Sequence, residues 1–358
     1  MKILQIYPLS MKVRRGGIPE HVWNISKRLA KKHDVTLFGL NPHNRYSRFE
    51  VVDGVKVERF RHFYPSDAYF FSFELPLRLR QAEFDVVHGH SYHAFPMHFA
   101  TLAKYHKFIA TPHYHGGGHS VFRNSLFRLF EPFGGRTLRK ANFIVAVSEF
   151  EKEILSDKFG FVKNKITVIP NGLDLSEFIN LKRETDDFKR VLYVGRLEPY
   201  KGVQHLVQIL PKLENNVVLE IVGTGPSRKQ LETEARRLGV LERVSFYENL
   251  PRNELLQKYV NADAFVLLSR FEAYSIAVAE ALTAGTPCIV ANTSALCEWI
   301  DNVSCFGIDF PIGLNKLAET VNYVLNNVEK LSVASTGHIG SKILDWSEVV
   351  ARLENLYT

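Results

Sequence analysis

One pattern constrains the fold of this chain more than any other. Short apolar runs alternate with amphipathic stretches, the alternation stops near residue 171, and it starts again at Arg190. Runs rich in β-branched and aromatic residues predict strands, and apolar residues three to four apart predict helices, as in Glu20 to Lys32. Regular alternation of the two favours parallel sheets covered by helices. We predict strands at 2–8, 34–40, 55–60, 85–89, 108–112, 143–148, 166–169, 190–195, 217–222, 244–247, 264–268, 287–291 and 305–309.

The restart predicts two doubly wound α/β domains in tandem, and 358 residues suit two domains of ordinary size. We place the N-terminal domain at 1–175 and the C-terminal domain at 188–340, with the polar segment 171–189 between them. The last stretch, 345–358, is amphipathic, and we expect it to pack back onto the first domain. In open parallel sheets ligands bind beyond the carboxyl ends of the strands, so motifs at those ends carry the functional prediction.

Composition limits the class of protein. No apolar run approaches the roughly 18 residues that span a bilayer. The first eight residues are too interrupted for a secretory signal and instead predict a buried strand. The cysteines at 288, 297 and 305 match neither a disulfide framework nor a metal-ligand spacing. We therefore expect a cytoplasmic protein.

Charge is distributed unevenly along the chain. Residues 1–170 hold 26 Lys and Arg against 14 Asp and Glu, whereas residues 171–358 hold 19 against 24. An anionic membrane surface, a phosphorylated acceptor and nucleic acid are all compatible with the basic half. Charge alone favours an ordinary solvated basic face, and no nucleic-acid-binding motif accompanies it, so we expect no nucleic-acid partner.

Two cations follow the first strand of the second half. Gly195 allows a sharp turn, and Arg196 and Lys201 then lie just beyond the predicted strand end, before a helix beginning near Gly202. A guanidinium fork, an ammonium group and a helix N-terminus together suit a diphosphate. The alternative is a loop with two solvated cations.

A pair of glutamates flanks a second helix start. Glu272 falls in the loop after the strand at 264–268, and Ser275 is a suitable N-cap for a helix that runs to about Ala284 and has Gly285 at its C-cap. Glu280 lies inside that apolar helix, where a carboxylate is costly without a partner. The hydroxyls of a ribose would satisfy it. The alternative is a glutamate on a solvated helix face.

Over essentially its whole length the chain resembles family 4 of the retaining glycosyltransferases, which have the GT-B fold of two Rossmann-like domains facing across a cleft. The family's E-x7-E signature matches Glu272 and Glu280, and its G-R-x4-K-G signature matches 195–202. Weaker matches in the same order are 16–21, 85–90, 168–174 and 222–226.

The resemblance implies roles for individual residues. Arg196 and Lys201 would neutralise the leaving diphosphate, Glu272 would hold the transferred sugar and Glu280 the ribose, while His113 would contact the sugar or the reacting centre. The catalytic residues would be His113, Arg196, Lys201 and Glu272. The implied donor-binding set is Gly16, Gly17, Gly195, Arg196, Lys201, Gly223, Asn249, Leu250, Glu272, Tyr274, Ser275, Ile276 and Glu280.

Two positions depart from the family pattern, because Ala273 and Ser275 stand where glycine is common, which leaves the donor's identity open. Three histidines, His113, His115 and His119, have a spacing that suggests a metal site, but no acidic fourth ligand stands nearby. The chain also lacks an Asp-x-Asp motif. We therefore predict no metal and no cofactor.

The sequence predicts a metal-independent, retaining transfer of a sugar from a nucleoside diphosphate to an acceptor hydroxyl of a lipid-linked molecule, a glycan or a small molecule. A nucleotide-sugar epimerase, a sugar phosphorylase and a non-catalytic sugar-nucleotide-binding protein remain alternatives. The aromatic and basic stretches 59–73 and 122–140 suit peripheral contact with an anionic membrane at its inner face, and equally a core-facing helix with a basic outer side.

Overall fold

The structure is a computed structural model that describes residues 1–9, 16–41, 45–62, 70–116, 121–184, 186–337 and 342–358. It forms two compact units. Unit 1 comprises Met1–Gly172 and Leu344–Thr358, and unit 2 comprises Leu173–Ile343. The sequence analysis placed the domains at 1–175 and 188–340, so the polar segment between them belongs mostly to unit 2.

The described part of unit 1 contains an eight-stranded sheet in the order β3-β4-β2-β1-β5-β6-β7-β8. Every neighbouring pair is parallel except β3 with β4, which form a hairpin through Asp53 and Gly54, both at positive φ. All seven strands predicted for this half are confirmed, and β3 is additional. The strands are β1 (Lys2–Leu9), β2 (Asp34–Asn41), β3 (Phe49–Val52), β4 (Val55–Arg61), β5 (Glu83–His90), β6 (Lys104–Thr111), β7 (Phe143–Ala146) and β8 (Ile166–Val168).

Both faces of this sheet are buried under helices. In β1, Leu4 and Ile6 belong to one apolar cluster, while Ile3 belongs to a second cluster that includes Val349 and Leu353 from the last helix. Burial on both faces explains why the strands read as near-continuous apolar runs. The helices are α1 (Gly17–Leu29), α2 (Glu74–Arg80), α3 (Phe95–Phe99), α4 (Val121–Lys140), α5 (Glu149–Lys158) and, after unit 2, α12 (Trp346–Tyr357).

Unit 2 contains a six-stranded parallel sheet in the order β12-β11-β10-β13-β14-β15. This is the Rossmann order, in which the chain reverses its direction of travel between the first and fourth strands. All six predicted strands are confirmed. The elements are β10 (Lys189–Val194), α6 (Val203–Ile209), β11 (Val217–Val222), α7 (Arg228–Arg237), β12 (Val244–Tyr247), α8 (Arg252–Asn261), β13 (Ala264–Leu267), α9 (Ile276–Thr283), β14 (Cys288–Ala291), β15 (Cys305–Ile308), α10 (Leu314–Leu325) and α11 (Val328–Gly337).

Two short strands, β9 (Gly172–Leu173) and β16 (Leu344–Asp345), lie where the chain passes from one unit to the other. The last helix begins with a capping box in which Asp345 accepts from the first turn and Glu348 reaches back to the Asp345 amide. Among the helices described, none is both long and apolar enough to cross a membrane.

Candidate active site

The predicted donor residues of unit 2 gather at the switch point of its sheet. Gly195 and Arg196 follow β10, and Glu272 follows β13, the strand hydrogen-bonded beside β10. Because helices leave these two strands in opposite directions along the sheet, their loops diverge and leave a crevice at the carboxyl edge. The sequence signal therefore falls where the topology creates a ligand site.

Two glycines hold these loops in contact, backbone against backbone. Gly223 has a φ of 147°, and a Cβ there would lie 1.8 Å from the carbonyl oxygen of Gly195. Gly202 has a φ of 74°, and its Cβ would lie 2.4 Å from the carbonyl oxygen of Leu268. Both positions require a residue without a side chain. The helix expected near Gly202 is α6, which begins at Val203 with Gly202 as its N-cap.

Lys201 and Glu272, which were assigned to different parts of a ligand, form an ion pair. Lys201 Nζ lies 2.6 Å from Glu272 Oε1, and the two side chains are only 14% and 15% exposed. Burial lowers the pKa of Lys201, but the charge and hydrogen bond of Glu272 together with neighbouring Tyr200 outweigh it, so the pKa stays above its ordinary value and the ammonium remains charged. The Glu272 amide donates to Ser294 Oγ at 3.0 Å, which fixes the loop.

Arg196 also has an acidic partner. Its guanidinium pairs with the carboxylate of Glu198 in the same loop, and its side chain is half exposed. Each cation of the G-R-x4-K-G segment is therefore balanced by a carboxylate. An anion that binds here would replace Glu198 and Glu272 as the partners of the two cations. The exposed Arg196 side chain can rearrange for this more easily than the buried Lys201 side chain.

The helix between the glutamates begins as predicted. Ser275, at a φ of 83°, is the N-cap of α9, and its Oγ accepts a hydrogen bond from the Val278 amide. The Tyr274 carbonyl accepts from Trp299 Nε1 at 2.8 Å, which holds the main chain before the cap. The helix ends at Thr283 with Ala284 as its C-cap, and Gly285 follows at a φ of 78°, so the predicted cap is displaced by one residue.

Glu280 is buried, as the apolar helix around it predicted, and it has a protein partner. Its side chain is 8% exposed and pairs with the guanidinium of Arg252, which also lies 2.8 Å from Glu177. Burial lowers the pKa of Arg252, but the charges and hydrogen bonds of Glu280 and Glu177 together raise it above its ordinary value. The sequence analysis missed Arg252 because it lies 28 residues before Glu280, at the start of α8.

The remaining donor predictions fall in two places. Asn249 and Leu250 lie in the loop after β12, with Asn249 at a φ of 52°. Gly16 and Gly17 lie in unit 1, where Gly16 is the N-cap of α1 and its carbonyl accepts from the Glu20 amide.

In unit 1, His113 lies among three other histidines. It follows β6 in a left-handed conformation with a φ of 49°, which is strained for a residue with a side chain. The His21 ring centre is 4.9 Å from that of His113, and the His90 ring centre is 6.1 Å away. Burial holds the pKa of His113 well below its ordinary value. Of the three histidines whose spacing suggests a metal site, His113, His115 and His119, the last lies outside the described residues.

Ligating nitrogen atoms of His21, His90 and His113 lie within 4.8 Å of one another. In the part of the chain that the structure describes, these residues form the cluster suited to a metal ion. Sequence reasoning missed the cluster because its members come from three segments. His21 and His90 did occur in quoted motifs, each beside the carboxyl edge of the sheet, and that shared location was the available signal.

The C-terminal helix contributes a hydroxyl to the same region. Gln5 Nε2 donates to Tyr357 Oη at 3.2 Å, and the same hydroxyl is hydrogen-bonded to His88 Nδ1, 2.7 Å away. The other ring nitrogen of His88, Nε2, is hydrogen-bonded to Thr111 Oγ1 at 2.7 Å. This chain of bonds joins the next-to-last residue to the strand that precedes His113.

Comparison with known proteins agrees with this arrangement. A model described as Glycosyltransferase Family 4 matches residues 15–177, and one described as Glycosyl transferases group 1 matches residues 176–336. The chain is 28% identical over 396 residues to the glycogen synthase of Mycobacterium tuberculosis, covering all of this chain and 94% of that protein.

Solved structures share the fold. The sucrose-phosphate synthase of Thermosynechococcus elongatus has a TM-score of 0.80 at 18% identity and covers 99% of this chain and 98% of its own. The HepE protein of Anabaena, solved with UDP and glucose, has a TM-score of 0.79 at 17% identity, with 99% of each chain covered. The two family matches run almost continuously through both units. The chain therefore belongs to the family 4, group 1 glycosyltransferases, and it is an enzyme with the GT-B fold.

Proposed function

We propose that this glycosyltransferase moves a sugar from a nucleoside diphosphate to an acceptor hydroxyl with retention at the anomeric carbon. The observation that carries the proposal is the buried Lys201–Glu272 ion pair at the switch point of the unit 2 sheet, directly before the capped start of α9. A cation for phosphate, a carboxylate for sugar hydroxyls and a helix start are thereby brought to one strand edge. The binding of UDP and glucose by HepE supports a donor of this class.

The proposed chemistry uses exchange of charged partners. When the donor binds, Lys201 and Arg196 turn from their carboxylates to the diphosphate, and Glu272 is released to accept from the sugar hydroxyls. Glu280, already held by Arg252, accepts from the ribose. As the glycosidic bond to phosphate breaks, negative charge grows on the leaving oxygen, where the two cations bind it more tightly than in the ground state.

A front-face route completes the transfer. The acceptor hydroxyl attacks the anomeric carbon from the side that the phosphate leaves, and the departing phosphate oxygen takes its proton, so the stereochemistry is retained. Arg196 and Lys201 supply the positive charge that a bridging metal ion would otherwise supply, so departure of the diphosphate does not require a divalent ion.

A matched pair of variants tests the role of the ion pair. Lys201→Ala should lower turnover by about 100-fold or more, as loss of a preorganised charge contact commonly does. Lys258→Ala is the control, because Lys258 forms an ion pair in the same unit with Glu220, a residue within β11 rather than beyond a strand end. Normal turnover of Lys201→Ala with UDP-, GDP- and ADP-sugars would refute the proposed role.

Donor and stereochemistry need separate measurements. A thermal-shift screen with UDP, GDP, ADP and their sugars should show stabilisation by one nucleotide series, since a ligand of the native state raises its stability. The anomeric configuration of the product, read by proton NMR, should equal that of the donor. Product formed without acceptor, or only with free phosphate, would instead indicate an epimerase or a phosphorylase.

We also propose that unit 1 contacts an anionic membrane through the carboxyl-terminal part of α4. Arg136, Arg139 and Lys140 line an open cavity of about 630 Å³. Phe133 and Phe161 are exposed beside them at 41% and 42%, and the Arg139 guanidinium lies 4.5 Å from the centre of the Phe161 ring. Cations around exposed aromatic rings suit an anionic lipid surface. Of the other predicted aromatic and basic positions, 63–69 lie outside the described residues, as do the side chains of 122–130, and Arg59 and Phe60 are buried.

Vesicle sedimentation tests this surface. The wild-type chain should sediment with vesicles containing phosphatidylglycerol and should stay in solution with vesicles of phosphatidylcholine alone. Arg136→Glu combined with Arg139→Glu should abolish sedimentation. The same change of charge in unit 2, Lys229→Glu with Arg236→Glu, should leave it intact. Equal loss in both double variants would indicate a general charge effect and no membrane-binding surface.

A further inference from the structure

We propose that His21, His90 and His113 of unit 1 bind a divalent transition metal of the Zn²⁺ class, with a fourth coordination position for an oxygen ligand. They come from α1, the end of β5 and the loop after β6, which places them at the carboxyl edge of the unit 1 sheet. Each is at most 6% exposed. Their ligating nitrogen atoms lie within 4.8 Å of one another.

The first argument is that the cluster contains buried nitrogen atoms without hydrogen bonds. Both ring nitrogens of His21, Nδ1 of His90 and Nε2 of His113 are buried and have no partner at hydrogen-bond geometry. Each buried polar group left in this state costs about 1–3 kcal/mol. Natural proteins rarely leave several together without a ligand, an ion or a water among them. One cation bonded to one nitrogen of each ring would satisfy three of these four atoms at once.

A fifth buried polar atom lies beside His21. Asn171 Oδ1 is also buried without a hydrogen-bond partner. Asn171 is close enough to His21 to raise the pKa of that histidine, although burial dominates and lowers it to about 4. Its amide oxygen therefore faces His21 and is placed to accept from the ring nitrogen of His21 that the metal does not use.

The second argument is the fixed tautomer of His90. Gln5 uses its amide nitrogen to donate to Tyr357, so its Oε1 is the atom that faces His90 Nε2, at 2.7 Å. An oxygen acceptor there requires the His90 proton to be on Nε2, which leaves the Nδ1 lone pair exposed to the cluster. Histidine ligands commonly donate their other ring N–H to a fixed acceptor that orients the ring for the metal. Gln5 Oε1 is that fixed acceptor for His90.

His88 illustrates the contrast, because it is equally buried but uses both ring nitrogens. Its Nδ1 is hydrogen-bonded to Tyr357 and its Nε2 to Thr111, so neither nitrogen is available to a metal. It holds the neighbouring strands in place. His21, His90 and His113 therefore differ from other buried histidines of the unit in having free nitrogens directed to a common centre.

The donor set indicates which metal fits. Three neutral imidazoles suit Zn²⁺, Co²⁺, Ni²⁺ or Cu²⁺, whereas Mg²⁺ and Ca²⁺ require oxygen ligands. Burial keeps the pKa of all three histidines below its ordinary value, so at neutral pH no proton competes for their lone pairs. Tetrahedral Zn–N bonds of about 2.0–2.1 Å place ligand nitrogens about 3.3 Å apart, which needs a contraction of at most about 1.5 Å through ring rotation.

Metal content of the wild-type enzyme tests the proposal directly. Full-length protein without an affinity tag is treated with chelator, dialysed against Zn²⁺ and analysed by atomic mass spectrometry. We expect one Zn²⁺ per chain, and with Co²⁺ the intense visible absorption of a four-coordinate site. The melting temperature of wild type should rise with Zn²⁺ concentration and fall after chelation. Absence of bound metal in wild type overturns the proposal without reference to any variant.

Variants identify the ligands. His21→Gln and His90→Gln should each lose the bound metal and the Zn²⁺-dependent rise in melting temperature. His205→Gln is the control, because His205 is a half-buried histidine on α6 of unit 2, and this variant should keep both. One Zn²⁺ per chain in all three variants would mean that the metal binds elsewhere and would also overturn the proposal. The inference concerns unit 1 alone and does not depend on the roles proposed for Lys201 and Glu272.

Discussion

Replacing Glu272 with glutamine isolates the charge of the central ion pair. The side chain keeps its shape and its oxygen, so Lys201 retains a hydrogen-bond acceptor but loses the carboxylate 2.6 Å away. Lys201 then carries a charge at 14% exposure with no carboxylate against it. The pKa of Lys201 should also fall below its ordinary value, because burial lowers it and the charge of Glu272 is needed for the opposing contributions to exceed that effect.

The expected loss follows from the burial of the pair. Removing one partner of a fully buried ion pair costs about 3–5 kcal/mol. Both side chains retain some solvent contact, and glutamine preserves one hydrogen bond, so we expect the free energy of unfolding of unit 2 to fall by about 2–3 kcal/mol at neutral pH. The control is Glu214→Gln, whose partner Lys189 lies at the surface. An exposed pair of this kind should contribute less than about 1 kcal/mol.

The pH dependence gives a second check with a definite sign. In wild type the folded pKa of Lys201 is raised, so the pair stabilises the fold below the unfolded pKa of about 10.4 and loses its effect as pH rises through the folded value. In Glu272→Gln burial lowers the pKa, and the lysine loses its proton earlier. The deficit of the variant should therefore be constant near pH 7 and narrow as pH approaches and passes 10.

Urea unfolding measures both effects. Trp299 is the only tryptophan between residues 173 and 343, and its ring lies 5.2 Å from that of Tyr274 beside the site, so its fluorescence follows unit 2. If Glu272→Gln and Glu214→Gln reduce the unfolding free energy equally, or if the deficit of Glu272→Gln widens with increasing pH, the account of Lys201 as a charge held by Glu272 is wrong.

Three further perturbations have expected results. Tyr357→Phe leaves buried partners of the hydroxyl unsatisfied and should reduce the unfolding free energy of unit 1 by about 2–4 kcal/mol in urea, whereas Tyr323→Phe at an exposed site should change it little. Gly223→Ala should cost more than about 2 kcal/mol, because its Cβ would overlap a carbonyl oxygen, whereas Gly160→Ala has open space and should be nearly neutral in the same assay. Burial lowers the pKa of His98 to about 4, below its unfolded value of about 6.5. The unfolding free energy of unit 1 should therefore fall by about 3 kcal/mol as pH falls from about 6.5 to about 4, because the unfolded chain binds a proton that folded His98 does not. A His98→Gln variant should show a shallower decline over that range.

The sequence alone determined the strands and their order of appearance. Every predicted strand is present. Most are buried on both faces and therefore appear in the sequence as short continuous apolar runs, whereas β8 and β12, at the ends of their sheets, are only partly buried. The hairpin strand β3 was not predicted, since its residues alternate between exposed and half-buried positions and form no such run. The cap at Ser275 was also predictable, because capping depends on bonds within one turn.

Local sequence did not reveal pairs that form between distant segments. It placed Lys201 and Glu272 at two strand ends, but only the adjacency of β10 and β13 brings them to 2.6 Å. It recognised that Glu280 needed a partner without indicating Arg252, which comes from another helix. Lys201 and Glu272 are 71 positions apart, and Arg252 and Glu280 are 28 apart. Helix and strand periodicities relate only residues a few positions apart, so they cannot indicate these pairs.

The histidines of unit 1 show the same division. The sequence determined that His21, His90 and His113 each follow or adjoin a strand end, because that depends on local pattern. Only the tertiary structure decided that their ring nitrogens share one buried centre, and that Gln5 and Tyr357, 352 residues apart, fix the protons around it. The physical reason is that hydrophobic periodicity specifies which face of an element is buried, whereas strand order and register determine which polar groups are buried together.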